Sequence, residues 1–165
     1  MASSTLYAVA YKTDGIADLQ GFFADLVRCE TRLYNALNDR LRERHEIVTS
    51  QFEFLRFLRE HPGARVADLA AEFAIGVGAT SKSADRLEKQ GWIVRQANPA
   101  DRRSSLLALT DDGSQLLDAA EATFIAGLSE LVQGALDQST TTAVARALRR
   151  LRSALERDQV GSPTG

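Results

Sequence analysis

The chain carries one cysteine, Cys29, and two histidines, His45 and His61, in 165 residues. A single thiol excludes an intrachain disulfide, and so few imidazoles make a zinc cluster hard to assemble, so neither metal nor cofactor is expected. Serine, histidine and aspartate are all present, but no spacing sets a nucleophile beside its base, and no enzyme is expected. No uninterrupted apolar run approaches the ~20 residues needed to cross a bilayer. The start of the chain lacks the leading cation of an export signal. Its first is Lys12, which follows the apolar stretch Leu6–Tyr11. These scarcities point to a reducing, cytoplasmic setting with no membrane partner.

What is present suffices for a core. Apolar residues make up 44% of the chain, an ordinary value for a globular protein and too high for a disordered one. The net charge of -2 hides an asymmetry. Between Gly76 and Arg103 stand six cations (Lys82, Arg86, Lys89, Arg95, Arg102, Arg103) against three anions (Asp85, Glu88, Asp101). That segment is locally basic in an otherwise acidic chain. Screening confines each charge to roughly 8 Å at physiological salt, so the local patch matters more than the total.

Proline is absent from Ile16 to Ile47, where apolar residues recur at helical spacing. Leu19, Leu26 and Leu33 fall seven apart, with Phe23, Leu37 and Leu41 on the same broad side. A helix of ~28 residues is ~42 Å long, more than a small core can cover. Part of this stripe is therefore expected to pack on a second chain. A second helix is predicted from about Ser50 to Glu60, with Thr49 or Ser50 as N-cap and Phe52, Leu55 and Leu58 buried; Pro62 and Gly63 end it.

A short third helix, about Val66–Phe73, is followed by the turn Ala74–Gly76 and a fourth helix, about Val77–Gln90, closed by Gly91. Two helices joined by a tight glycine-containing turn are a helix-turn-helix candidate. After Gly91 the period shortens. Trp92–Arg95 and Leu106–Leu109 read as strands around Asn98–Arg103, which makes a hairpin with a basic tip. Thr110 is placed to cap a fifth helix reaching about Leu136, with Asp111 and Asp112 at the positive end of its dipole. The stripe of that helix is Leu116, Ala120, Phe124, Leu128, Leu131 and Ala135. A sixth helix carries Val144, Leu148, Leu151 and Leu155, and the tail 161–165 is expected to be disordered.

The order helix, turn, helix, basic hairpin has a mechanical use. A helix fits the DNA major groove, which is ~12 Å wide, while a hairpin beside it reaches the narrower minor groove. Thr80, Ser81, Lys82 and Arg86 are expected on the exposed side of the fourth helix, with Ala84 and Leu87 turned inward. Arg102 and Arg103 suit a narrow, strongly negative groove. With Arg65, Gly78 and Asp101 they complete the candidate DNA-binding set. Gly78 contributes no base-reading side chain.

The runs Ala84–Arg95, Asn98–Arg103 and Leu107–Gly113 resemble the MarR family of bacterial winged-helix transcription regulators. They match, in order and spacing, its "DRLE, glycine, hydrophobic pair, arginine" run, its "P-x-D-R-R" wing and its "L-T-x-x-G" start of the next helix. The resemblance implies a mainly α fold with a small β-hairpin wing and long N- and C-terminal dimerisation helices. It divides the chain into an N-terminal arm and helix (1–48), a DNA-binding lobe (49–110), dimerisation helices (111–160) and the tail. It implies that the helix matching Val77–Gln90 enters the major groove and that Arg103 enters the minor groove. An Asp101–Arg86 pair would hold the wing to the helix. It further implies a homodimer on a pseudo-palindromic double-stranded DNA site, acting as a repressor, with a crevice for a small aromatic or phenolic effector. Where family members usually have serine, proline and serine, this chain has Gly76, Val77 and Gly78, so no relative's operator sequence carries over.

Rival motifs are weaker. Gly76–Ser83 approaches a nucleotide-binding P-loop, but Ser81 stands where glycine must precede Lys82, and a helix rather than a strand comes before it. A winged helix used only as a protein-interaction module is the alternative class, and it has no need of a basic tip. Cys29 is expected to fill core or interface rather than to sense redox state. Both histidines are expected at helix ends facing solvent, and Trp92 is expected in the core. Tyr7 and Tyr11 belong either to an arm on a partner subunit or to a mobile tail.

Overall fold

The structure is a computed structural model and describes residues 19–162. The expectations for Tyr7, Tyr11 and the last three residues of the tail lie outside that range. Eight elements follow in order: α1 (Leu19–His45), α2 (Thr49–Glu60), α3 (Val66–Glu72), α4 (Val77–Lys89), β1 (Ile93–Ala97), β2 (Ser105–Leu109), α5 (Asp111–Gln133) and α6 (Gln138–Arg157). Strands β1 and β2 form an antiparallel hairpin, with Ile93 opposite Leu109 and Ala97 opposite Ser105.

The core gathers where α2, α4, the hairpin and α5 meet, around Phe52, Leu55, Leu69, Leu87, Ile93, Leu107 and Leu117. Trp92 packs on this core, half-buried, just ahead of β1 rather than within it. On α5 the residues fully inside are Gly113, Leu117, Ala120, Thr123 and Gly127, while Leu116 and Phe124 are only half-buried. The small residues on that side let α1 lie close, and a Cβ on Gly127 would meet the Arg40 side chain at 3.0 Å. Antiparallel crossing of α1 and α5 is fixed by the Arg40–Glu130 ion pair at 2.8 Å and by His45 Nε2, 2.7 Å from Thr123 Oγ1. His45 is thus half-buried against α5 and not turned to solvent. His61 is exposed as expected and stacks on Phe57.

The start of α2 departs from the sequence reading. The N-cap of α2 is Val48, whose N–H donates to the Gln51 side chain at 2.9 Å, in place of Thr49 or Ser50. Thr49 instead lies buried in the first turn, its N–H donating to Asn38 Oδ1 at 3.1 Å. In the α3–α4 turn the left-handed residue is Ala74 (φ 49), whereas Gly76 is extended and caps α4. Gly91 (φ 79) does take the left-handed place after α4, and the Trp92 N–H returns to the Leu87 carbonyl in a Schellman closure.

Only Leu37 and Leu41 of the α1 stripe are buried. Leu19 and Phe23 remain 63% and 66% exposed, so the first half of the predicted stripe finds no cover among the described residues. Cys29 is exposed as well, which removes the core reading. No helix among the described residues is long and apolar enough to cross a membrane.

Candidate nucleic-acid interface

Helix α4 turns Thr80, Ala84 and Leu87 into the core, and its opposite side carries Gly78, Lys82, Asp85, Arg86 and Lys89, all exposed. Thr80 corrects the sequence reading. It is fully buried, and its Oγ1 donates to the Gly76 carbonyl at 3.1 Å, so it cannot reach a base. One turn separates it from Ala84, and the helical period places both inward. Ser81 is half-exposed at the edge of the face. A Cβ on Gly78 would meet nothing within 4 Å, so packing does not require glycine there.

The hairpin turn organises itself locally. Asp101 Oδ1 accepts from the Arg103 N–H at 3.0 Å, and Asn98 Oδ1 accepts from the Ala100 N–H at 3.0 Å, both side chains bonding the backbone two residues on. The Arg103 N–H holds the Asp101 carboxyl below the usual carboxylate range. Asp101 also meets the Arg103 guanidinium at 3.5 Å, so the expected pair with Arg86 is not the one formed. A partner two residues away costs far less chain ordering than one on another element. Arg86 instead lines a hollow of about 220 Å³ with Ser50, Gln51 and Ser83 at the start of α2. The Arg103 side chain stays 95% exposed despite its neighbour, and Arg102 beside it is exposed too. Arg65 precedes α3 and is engaged by Asp68, at 3.0 Å between guanidinium and carboxylate.

The wing is tied to α4 by residues that charge counting treated only as part of the patch. Arg95 on β1 bonds Asp85 at 2.6 Å and also bonds Glu88, and Glu88 accepts from the Arg95 backbone N–H at 3.1 Å. Burial lowers the affinity of the guanidinium for its proton, but the two carboxylates outweigh it and hold the group above its ordinary value. The signal was available in the strand period: Arg95 stands two residues after buried Ile93, on the same face, toward α4. Once Asp85 and Glu88 are occupied from behind, Lys82, Arg86, Lys89, Arg102 and Arg103 dominate the outer field.

Residues 47–105 match the model of the MarR family. Over 90 residues the chain is 31% identical to the multiple antibiotic resistance protein MarR of Salmonella typhimurium, covering 52% of this chain and 62% of that one. It is 40% identical over 70 residues to the uncharacterised HTH-type transcriptional regulator YxaD of Bacillus subtilis, covering 42% and 49%. The chain therefore spans less than two thirds of these relatives. Among solved structures, Sco3205, a MarR family transcriptional regulator from Streptomyces coelicolor in complex with DNA, superposes with a TM-score of 0.74 at 24% identity, covering 82% of this chain and 86% of that one. AbsC, a MarR family transcriptional regulator from the same organism, gives 0.74 at 21% identity, covering 85% and 96%. Residues 47–105 thus match the MarR family, and the chain shares the fold of these two solved structures.

Proposed function

We propose that this protein is a transcription regulator that binds double-stranded DNA as a homodimer, acting as an effector-responsive repressor on a pseudo-palindromic operator. The observation that carries the reading is the pairing of an exposed Lys82–Arg86–Lys89 face on α4 with a wing whose Arg102 and Arg103 project freely. In this reading Lys82 and Ser81 meet the major groove. Gly78 lets the backbone approach, Arg65 and Arg86 serve phosphates, and Arg103 enters the minor groove with Asp101 shaping its turn. The exposed apolar residues of α1 and α6 support terminal dimerisation helices flanking a DNA-binding lobe at 49–110. For the effector, a hollow of about 470 Å³ lined by Phe52, Phe124, Ile125 and Leu128, with Arg56 among its walls, has the character of an aromatic site. An effector favouring a lobe spacing mismatched to successive grooves would weaken operator binding by its differential affinity for the two states.

Selection of bound fragments from the source genome, followed by titration across ionic strength, tests the reading. Each phosphate contact contributes roughly -0.9 to the slope of log affinity against log salt. The cations assigned here predict a slope of about -5 to -9 for the dimer. A flat response, or no duplex bound at low salt, would contradict the placement of the basic face.

The Arg95 clamp makes a separate prediction. Arg95→Gln should weaken DNA binding about tenfold by loosening the wing, with the salt slope unchanged because Arg95 meets carboxylates and not phosphates. In that background Arg103→Ala should cost about 1 kcal/mol less than in the parent protein, measured as a double-mutant cycle of binding constants. Strict additivity would mean that the clamp does not set the wing.

A further inference from the structure

At the far end of α6 from the α5–α6 turn, the helix returns to the helix-turn-helix. Arg152 reaches Glu72 of α3 at 3.4 Å and Glu156 at 3.6 Å. Between α6 and the α3–α4 turn lies an open crevice of about 840 Å³, walled by Phe73, Ile75, Val77, Leu155 and Val160. Four of these are well exposed: Ile75 38%, Val77 57%, Leu155 42% and Val160 60%. An apolar cleft with acidic groups at its rim, abutting the first turn of α4, calls for an apolar occupant that carries a cation.

The described part of the same chain offers no occupant, and the geometry of α1 shows where one could come from. The pairings of Arg40 with Glu130 and of His45 with Thr123 set the antiparallel register of α1 on α5. Continued along the helix, that register brings Leu37 level with Gln133 at the end of α5. The residues before it, Leu19 to about Ala36, overhang by ~27 Å at 1.5 Å per residue. The overhang carries exposed Leu19, Phe22, Phe23 and Val27 and points away from its own lobe. Its own crevice therefore lies beyond reach. In a two-fold pair joined at these tips, however, the overhang would run beside the partner's α6, toward the partner's crevice. The α6 stripe Val144, Leu148, Leu151 and Leu155 is uncovered among the described residues, each about 40% exposed. Between Tyr11 and Leu19 the chain can extend at most ~27 Å, and α6 from Val144 to its end at Arg157 is ~20 Å long.

We propose that the segment Leu6–Tyr11 of one protomer docks in the α6/α3–α4 crevice of its partner, so that each subunit's N-terminal arm contacts the other's helix-turn-helix. The segment is uncharged and apolar, Leu-Tyr-Ala-Val-Ala-Tyr, and Lys12 follows it directly. Its apolar side chains match the cleft, and Lys12 complements Glu72 and Glu156 at the rim, whose two carboxylates Arg152 only half-neutralises. The inference rests on the dimer of the proposed function and adds a mechanical consequence. An arm seated against Val77 braces the first turn of the partner's α4.

The test uses the full chain in a Cys29→Ser background, with Ala8→Cys and Ala71→Cys placed on separately tagged chains. After mixing and mild oxidation, a disulfide between the two tagged chains is the expected product. The double variant on one chain should likewise give linked dimers rather than internally linked monomers. Deleting residues 2–14 should raise the dimer dissociation constant about tenfold, the scale of one lost apolar side chain. Circular dichroism of each variant separates this from misfolding. A stable dimer that yields no mixed disulfide, or only links within one chain, overturns the arm exchange and leaves the dimer standing. A monomeric parent protein removes both.

Discussion

Gly113→Ala is expected to lower stability by about 3 kcal/mol, near the upper end for forcing an extra group into a packed site. In a chain of this length that corresponds to a fall in melting temperature of roughly 6–12 °C. A Cβ at this position would overlap the Trp92 carbonyl oxygen and lie 2.8 Å from its carbon, far inside the ordinary contact distance of ~3.5–4.0 Å. The obstacle is main chain, so no side-chain rotation relieves it. The same carbonyl accepts the Thr110 N–H at 3.1 Å, and Thr110 Oγ1 both donates to the Gly91 carbonyl at 2.6 Å and accepts the Gly113 N–H at 3.0 Å. The start of α5 is thereby stapled to the turn between α4 and β1, and a methyl at residue 113 separates them. Denaturant melts of the variant and of Gly78→Ala make the comparison. The second glycine faces open space and should gain up to about 1 kcal/mol through helix propensity. Equal stability of the Gly113 variant and the parent would show that the Trp92 carbonyl does not press on residue 113.

Removing the wing arginine should have the largest effect on binding. Arg103→Ala is expected to cost roughly 1–3 kcal/mol of DNA affinity, about tenfold to more than a hundredfold, if the guanidinium makes an ordered groove contact. Its side chain is free to do so. It is 95% exposed and held at the tip by the Asp101 carboxylate, which orders the turn without burying the cation. Lys82→Ala provides the contrast on α4. Relaxed preference at one base position would assign Lys82 to a base edge, and a uniform loss across sequences with a shallower salt slope would assign it to phosphate. Binding unchanged in the Arg103 variant would take that residue out of the interface.

Much of the fold was legible because local rules decide it. Gly91 ends α4 where a left-handed residue is needed, Thr110 caps α5 through its hydroxyl, and the switch from helical to alternating period marks the hairpin. The misplacements share a cause. Thr49 was read as a cap because threonine caps well in isolation, but the packing of α2 on α1 draws it inside and leaves Val48 at the boundary. Thr80, read as part of the exposed face, is likewise drawn inside where α4 meets the core.

The candidate site was legible as composition and less so as geometry. A count of cations between Gly76 and Arg103 finds the patch, but not that Arg95 is spent on Asp85 and Glu88, nor that Asp101 turns to its own loop. Pairing across elements depends on where backbones meet, which no single residue encodes.

Residue order by itself determined the sequence of helices, the hairpin with its arginine tip and the family motifs, because capping, turn chemistry and side-chain periodicity act over a few neighbours. Only the tertiary structure decided that Thr80 joins the buried face of α4, which carboxylates hold Arg95, how far α1 overhangs α5 and that a cleft opens between α6 and the α3–α4 turn. Those outcomes follow from packing many distant groups at once, where steric fit and desolvation override what each residue prefers alone.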